Sequence, residues 1–272
     1  MLVFERVICV LPFAPFTRTY HWKDMDKNSS PQPRIRGAFS TKIVQEIGTG
    51  TTKRKVIQSF LYYAEETETG EIELRPLNEN DVPSGEAQLI SKEELLESFT
   101  PELELYTAKV FPAMKELTRT LAKADRQRQL GNTFTAEMEY GKALNIDEDN
   151  IRANFGIGLC YLTRKEDEKA ADIFKRLVKL DAAFEKQHKH LFNDFGISLR
   201  KNMMFDEAVE FYTRAIVLTE EDENIYFNIA RCYYEDGKRK DAMKFVEKCL
   251  SINPESVPAR KLKIHMSKKI SA

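Results

Sequence analysis

Between Leu117 and Ser256 the apolar residues recur at helical spacing, and four segments repeat one pattern: AEMEYGKALNIDEDN, AADIFKRLVKLDAAF, EAVEFYTRAIVLTEED and DAMKFVEKCLSINPES. In each, a small residue (Ala136, Ala170, Ala208, Ala242) is followed four positions later by a larger apolar one (Tyr140, Phe174, Tyr212, Val246). Three further on stands Ala143, Leu177, Ala215 or Cys249. An i, i+4, i+7 stripe is the buried face of an amphipathic helix, so four such helices are predicted. Upstream of each lies a second apolar stretch with a small residue and, three later, a larger one: Gly158 with Tyr161, Gly196 with Leu199 and Ala230 with Tyr233. Ala124 with Gln127 is the degenerate first case.

Equivalent alanines are 34 residues apart from Ala136 to Ala170 and from Ala208 to Ala242, and 38 apart between Ala170 and Ala208, with four residues inserted near Glu185 to His188. A helix-turn-helix of this period, with small residues where paired helices must approach, resembles the tetratricopeptide repeat family. Pro254 matches the proline that ends the family's second helix, whereas Glu148, Ala182 and Glu220 stand at that place in the other repeats. The resemblance implies a mainly α chain with a four-repeat, right-handed helical solenoid. Its repeats are expected at residues 117–150, 151–184, 189–222 and 223–256, with a capping helix at 257–272 built on SVPARKLKIHMSKKI. An end repeat otherwise leaves an apolar face in water, which is why a cap with one polar face is expected.

The front half follows a different pattern. KIVQEI, KVIQSFLYYAEE and GEIELRPL are rich in β-branched and aromatic residues, with a turn at Thr67 to Gly70, and predict a small antiparallel β-rich (α+β) amino-terminal module at residues 37–90. Ser91 with Glu94 three later is a capping box, opening connecting helices over residues 91–116. Pro101 is expected to restart the helix after Thr100, and Pro112 to restart or kink it again. Residues 1–36 are expected to form a poorly ordered leader: the apolar start MLVFERVICVLPFAPF is interrupted by Glu5, Arg6 and prolines, lacks a small-x-small cleavage site, and is too short for a membrane span.

Composition changes this picture little. With 42 basic and 43 acidic side chains there is no global field toward nucleic acid or anionic lipid. Cys9, Cys160, Cys232 and Cys249 form no CxxC pair, which points to a reducing, cytoplasmic setting, and the last three fall where small buried groups belong. His188 and His190, two apart on a helix, face different ways and do not make the i, i+4 pair of a helical metal site. GTGTTKRK lacks the GxxxxGK[ST] pattern of a phosphate loop and is expected to be a hairpin turn. No serine, cysteine or histidine has a nucleophile context such as GxSxG. The sequence therefore predicts no enzyme, no cofactor and no metal.

In the family, first helices line the concave side, where ligands commonly bind. Carried onto this chain, those positions name Asp125 and Arg128 in repeat one, and Arg152, Phe155, Leu159 and Leu162 in repeat two. Repeat three gives His190, Asn193, Asp194, Ile197 and Lys201, and repeat four gives Asn224, Phe227, Asn228, Arg231 and Tyr234. Apolar anchors and hydrogen-bonding side chains in one groove suit a protein or peptide segment. The family's carboxylate clamp does not carry over, because its cationic places hold Leu121, Phe155, His190, Asp194, Asn224 or Asn228. The expectation is a protein-binding adaptor or scaffold. Two alternatives stay open: a chaperone for secreted or pilus/filament subunits, and nucleic-acid or nucleotide binding through Lys53 to Lys55 and the basic tail.

Overall fold

The structure, a computed structural model, describes residues 34–47, 54–184, 188–218 and 222–268. Residues 1–33 of the expected leader, most of the GTGTTKRK turn, the insertion near residue 186 and the end of the basic tail lie outside them, while Arg36, expected in the leader, already opens the first strand because it pairs with Glu65. The chain divides into two compact units between Glu116 and Leu117.

The first unit is a five-stranded antiparallel sheet of order β4-β3-β2-β1-β5, formed by β1 (Arg36–Ile47), β2 (Arg54–Glu66), β3 (Ile72–Pro76), β4 (Gln88–Ile90) and β5 (Thr100–Pro101). Side chains alternate across a strand, so neighbours serve opposite faces. Phe39 and Ala64 join Ile72, Leu74 and Leu95 on one face, while Ala38 and Tyr63 join Tyr106 and Val110 on the other. Leu95 comes from α1 (Lys92–Ser98), whose Ser91 hydroxyl accepts from the Glu94 N–H at 3.1 Å as the capping box predicts.

One expectation for this region needs correction. Thr100 and Pro101 do not open a helix but form the edge strand β5, opposite Ser40 and Phe39. Proline has no N–H to contribute to a ladder, and at a sheet edge that costs nothing. The next N–H, from Glu102, donates to the Ala38 carbonyl at 2.8 Å, and the helix starts only at Leu103. Pro112, expected to restart or kink the helix, stands at the second residue of a helical segment that follows a change of helix type. The short α2 (Leu103–Leu105) passes through a π-helical turn, Tyr106–Val110, into α3 (Phe111–Gln129), the Phe111 N–H reaching back five residues to the Tyr106 carbonyl. The longer reach redistributes the bonds that Pro112 cannot complete. The sequence pattern also overlooks β4 entirely, a strand of three residues.

The second unit stacks helix pairs: α3 with α4 (Thr133–Ile146), α5 (Ile151–Arg164) with α6 (Asp167–Leu177), α7 (Lys189–Lys201) with α8 (Phe205–Leu218), and α9 (Glu223–Glu235) with α10 (Arg239–Ile252). A last helix, α11 (Val257–Lys268), buries Ala259 and Met266 against Ala242, Val246 and Cys249 of α10. Every first helix ends the same way. Gly131, Lys165, Met203 and Gly237, at equivalent places, all adopt left-handed backbone with φ of 80°, 60°, 62° and 81°. Such a residue lets the following N–H groups satisfy the helix's last carbonyls while the chain reverses.

Close helix approach is visible at Gly196, where an added Cβ would collide with the Tyr212 ring, and at Gly156, where it would collide with the Tyr140 ring of the preceding repeat. The centre of the unit is aromatic. Phe211 on α8 lies within 5.1 to 6.4 Å, ring centroid to centroid, of Phe155, Phe184, Phe192 and Phe195. Those four come from α5, a 3-10 turn at Asp181–Phe184, and α7, so one side chain fastens two consecutive repeats.

Candidate partner-binding groove

The first helices α7 and α9 carry matching stripes. His190, Asn193, Asp194 and Ile197 occupy the same repeat positions as Asn224, Phe227, Asn228 and Arg231. Spacings of three and four keep each set on one helix face. The two helices are tied at both ends. Lys189 Nζ reaches the Asp222 carboxylate at 2.6 Å at the start, and Arg200 reaches Glu235 at 2.5 Å at the finish. Burial opposes ionisation of Asp222, but Lys189 and the Asn224 amide groups outweigh it and hold the carboxyl below its ordinary value.

On this surface His190, Asp194 and Asn224 are exposed, while Asn193, Phe227, Asn228, Arg231 and Tyr234 are half-buried. Asn193 Oδ1 is buried with no hydrogen-bond partner among the described residues. Arg231 donates to Glu235 at 3.1 Å, so its charge is already shared within the helix. Phe227 packs partly against the α10–α11 cluster, and Tyr234 meets the His265 ring of α11 edge-on at 5.8 Å.

Repeat two does not present the expected face. Phe155 and Leu159 are 0 % and 6 % exposed, and Leu162 is 2 % exposed, all within the Phe211 cluster. These positions lie on α5, but the rings of Phe195 and Phe211 in repeat three pack against Phe155, and Leu159 and Leu162 are buried in the same cluster, so all three are core residues. Arg152 is not available as a loose cation either. It makes two hydrogen bonds to Asp125 Oδ2, one of them 2.7 Å from Nε. Asp125 also accepts from the Tyr140 hydroxyl, whose ionisation is pushed upward by burial and by that carboxylate. These bonds join repeat one to repeat two.

The sequence singled out neither Arg200, Glu235 nor Lys189. Their signal was available as opposite charges at matching repeat ends, but long polar side chains there read equally well as solvated. Cys160 and Cys232 are buried and free, and burial raises their thiols to about 11 and about 12. Thiols so raised stay protonated and unreactive at neutral pH. Among the described residues no group of three or more His, Cys, Asp or Glu side chains is arranged to hold a metal. None of the described helices is long and apolar enough to cross a membrane. A cleft between α6 and α8, lined by Lys175, Lys179, Asp206, Glu207 and Glu210, lies on second helices and shares no residue with the stripe.

Residues 152–182 and 223–256 each match the family described as Tetratricopeptide repeat, and these matches coincide with α5–α6 and α9–α10. The chain carries tetratricopeptide repeats. Among curated proteins it is similar to the TPR repeat-containing protein MJ1428 of Methanocaldococcus jannaschii, 24% identical over 174 residues covering 62% of this chain and 30% of that protein. Hsp70-Hsp90 organizing protein 1 of Glycine max is 29% identical over 145 residues, covering 43% of this chain and 25% of that protein. The chain thus spans less than a third of the length of these relatives. Among solved structures, MamA from Desulfovibrio magneticus RS-1 aligns with TM-score 0.45 at 14% identity over 57% of this chain and 85% of that one. Pseudomonas aeruginosa PilF aligns with TM-score 0.45 at 19% identity over 59% and 71%. Neither family match reaches the sheet-bearing unit. Tetratricopeptide repeats bind protein partners, and the array of this chain is a protein-interaction fold.

Proposed function

We propose that the chain is an adaptor that captures an extended segment of a partner protein along the α7–α9 stripe of repeats three and four. The observation that carries this reading is that Asn193 and Phe227 hold the same repeat position, with Asn228 next to Phe227 in the chain and all three half-buried, on two helices tied by ion pairs at both ends. Amides suit the backbone of an extended peptide because each offers a donor and an acceptor, and the aromatic offers a seat for one apolar side chain. Repeat two contributes stiffness rather than contacts, since its corresponding face is filled. A rigid platform loses little freedom on binding, which favours affinity.

The test is affinity capture from the native host with the full chain and with a variant carrying Asp194→Ala, Asn224→Ala and Asn228→Ala. These side chains are exposed or half-buried and lie outside the Phe211 cluster, so folding should persist. Loss of specific partners from the variant supports the stripe. Retention of every partner at wild-type yield removes it.

A further inference from the structure

Strands β1 and β2 pair continuously from Arg36 opposite Glu65 to Ile47 opposite Arg54. Their neighbours stop early: β5 meets β1 only at Phe39 and Ser40, and β3 meets β2 only at Tyr62 to Glu66. From Thr41 to Ile47, β1 therefore has β2 on one side and no other strand among the described residues. This is a long sheet edge without proline, the kind of edge that templates pairing with another chain.

Which backbone groups face outward is fixed by bonds nearer the sheet's centre. The Ala38 carbonyl accepts from Glu102 on the β5 side, whereas the Ile35 carbonyl accepts from Glu66 at the end of β2. Directions alternate along a strand, so even-numbered residues of β1 turn outward and odd-numbered ones turn to β2. Lys42, Val44 and Glu46 consequently aim their N–H and C=O groups away from the sheet. An added antiparallel strand must oppose outward residues with outward residues.

We infer that the occupant of this edge is a second copy of the same edge, in a two-fold pairing centred on Val44. That register alone sets Lys42 of each protomer opposite Glu46 of the other. Centring on Lys42 places lysine against lysine, centring on Glu46 places glutamate against glutamate, and centring on Ile43 or Gln45 sets a charge against Val44. Opposite charges directly across a ladder stabilise it and like charges disfavour it, so charge selects the one closed arrangement. The other edge without a further strand among the described residues, on β2, has no such symmetry: the Leu61 carbonyl faces Leu77, which makes Lys55, Ile57 and Ser59 the outward residues by backbone alternation, and a two-fold pairing there sets Lys55 against Ser59. Pairing of β1 with β2 of another copy is heterologous and does not close. It builds chains of molecules instead of dimers.

The experiment is sedimentation velocity of the full chain across a concentration series at low salt, with circular dichroism melts of every variant. The wild-type chain is expected to show a monomer–dimer equilibrium. Lys42→Glu and Glu46→Lys should each raise the dissociation constant on the order of tenfold or more, because each turns two attractive pairs into two repulsive ones. The double variant should recover the dimer, and so should an equimolar mixture of the two single variants. Val44→Pro removes an outward N–H without touching the β1–β2 ladder and should leave monomer. If that variant melts early, the charge-exchange pair decides alone. A wild-type chain that is monomeric throughout, a dimer indifferent to both charge reversals, or association that grows past the dimer each overturns the inference.

Discussion

Arg200, at the end of α7, donates to both carboxylate oxygens of Glu235, at the end of α9, each at 2.5 Å. The arginine side chain is only 7 % exposed, the glutamate 32 %. Removing the carboxylate strands a nearly buried guanidinium, which costs more than the net worth of the pair. Glu235→Ala should lower unfolding stability by about 1–3 kcal/mol. Arg231→Ala, which strips the weaker and more exposed partner of the same carboxylate, should cost under about 1 kcal/mol. Urea melts of the two variants check the order, and an equal cost for both would mean that the Arg200 contact is not the one that couples the repeats.

Phe155 provides the second prediction. It is fully buried in the aromatic cluster around Phe211, so Phe155→Ala should destabilise the helical unit by about 3–5 kcal/mol through lost transfer energy and a residual cavity. Phe227, half-buried at the margin of the α10–α11 cluster, should cost clearly less. Thermal melts separate the two cases. Comparable losses would place Phe227 in the core as well and weaken its claim to the stripe.

The four left-handed helix ends make a third. Two are glycine, which adopts positive φ without steric cost, and two are Lys165 and Met203, whose Cβ meets the following carbonyl. Met203 is 76 % exposed and Lys165 is exposed too, so replacing either loses little packing. Met203→Gly and Lys165→Gly should each raise stability by about 0.5–1 kcal/mol, and Gly131→Ala and Gly237→Ala should each lower it by about 1 kcal/mol. Denaturation midpoints moving in the same direction for both pairs would contradict the left-handed geometry.

These particulars show what the sequence makes legible. The alanines at 136, 170, 208 and 242 are all fully buried, because a crossing point constrains size and the constraint repeats every turn of the array. The repeat register was therefore readable. Exposure was not readable from repeat position: position alone cannot tell that Phe195 and Phe211 cover Phe155, whereas the same position holds Phe227 half-exposed one repeat pair later. The sheet unit shows the complementary limit. Its long strands announce themselves by alternation, but β4 and β5 are three and two residues long and carry too few positions for a period. Pro101 looked like a helix start because helix and edge strand both tolerate a missing N–H.

Glu139 connects α4 to α3 and gives the protein a calculable response to acid. Its carboxylate is nearly buried and accepts from Lys123 at 2.8 Å and from Lys142 at 2.9 Å, and these two bonds outweigh burial and hold its carboxyl below the usual 4.5. A folded-state value below the unfolded one means that the unfolded chain takes up the proton more readily as pH falls. The stabilisation from Glu139 is thus fully present above about pH 4.5 and is lost as pH falls through the folded value. Glu139→Gln keeps the shape and removes the charge. At neutral pH the variant should unfold at lower urea than wild type, while below about pH 4.5 the two curves should draw together as pH falls through the folded value of Glu139. A gap that stays constant from neutral to acid pH would show that the lysine contacts act through shape and packing, with the charge of Glu139 contributing nothing.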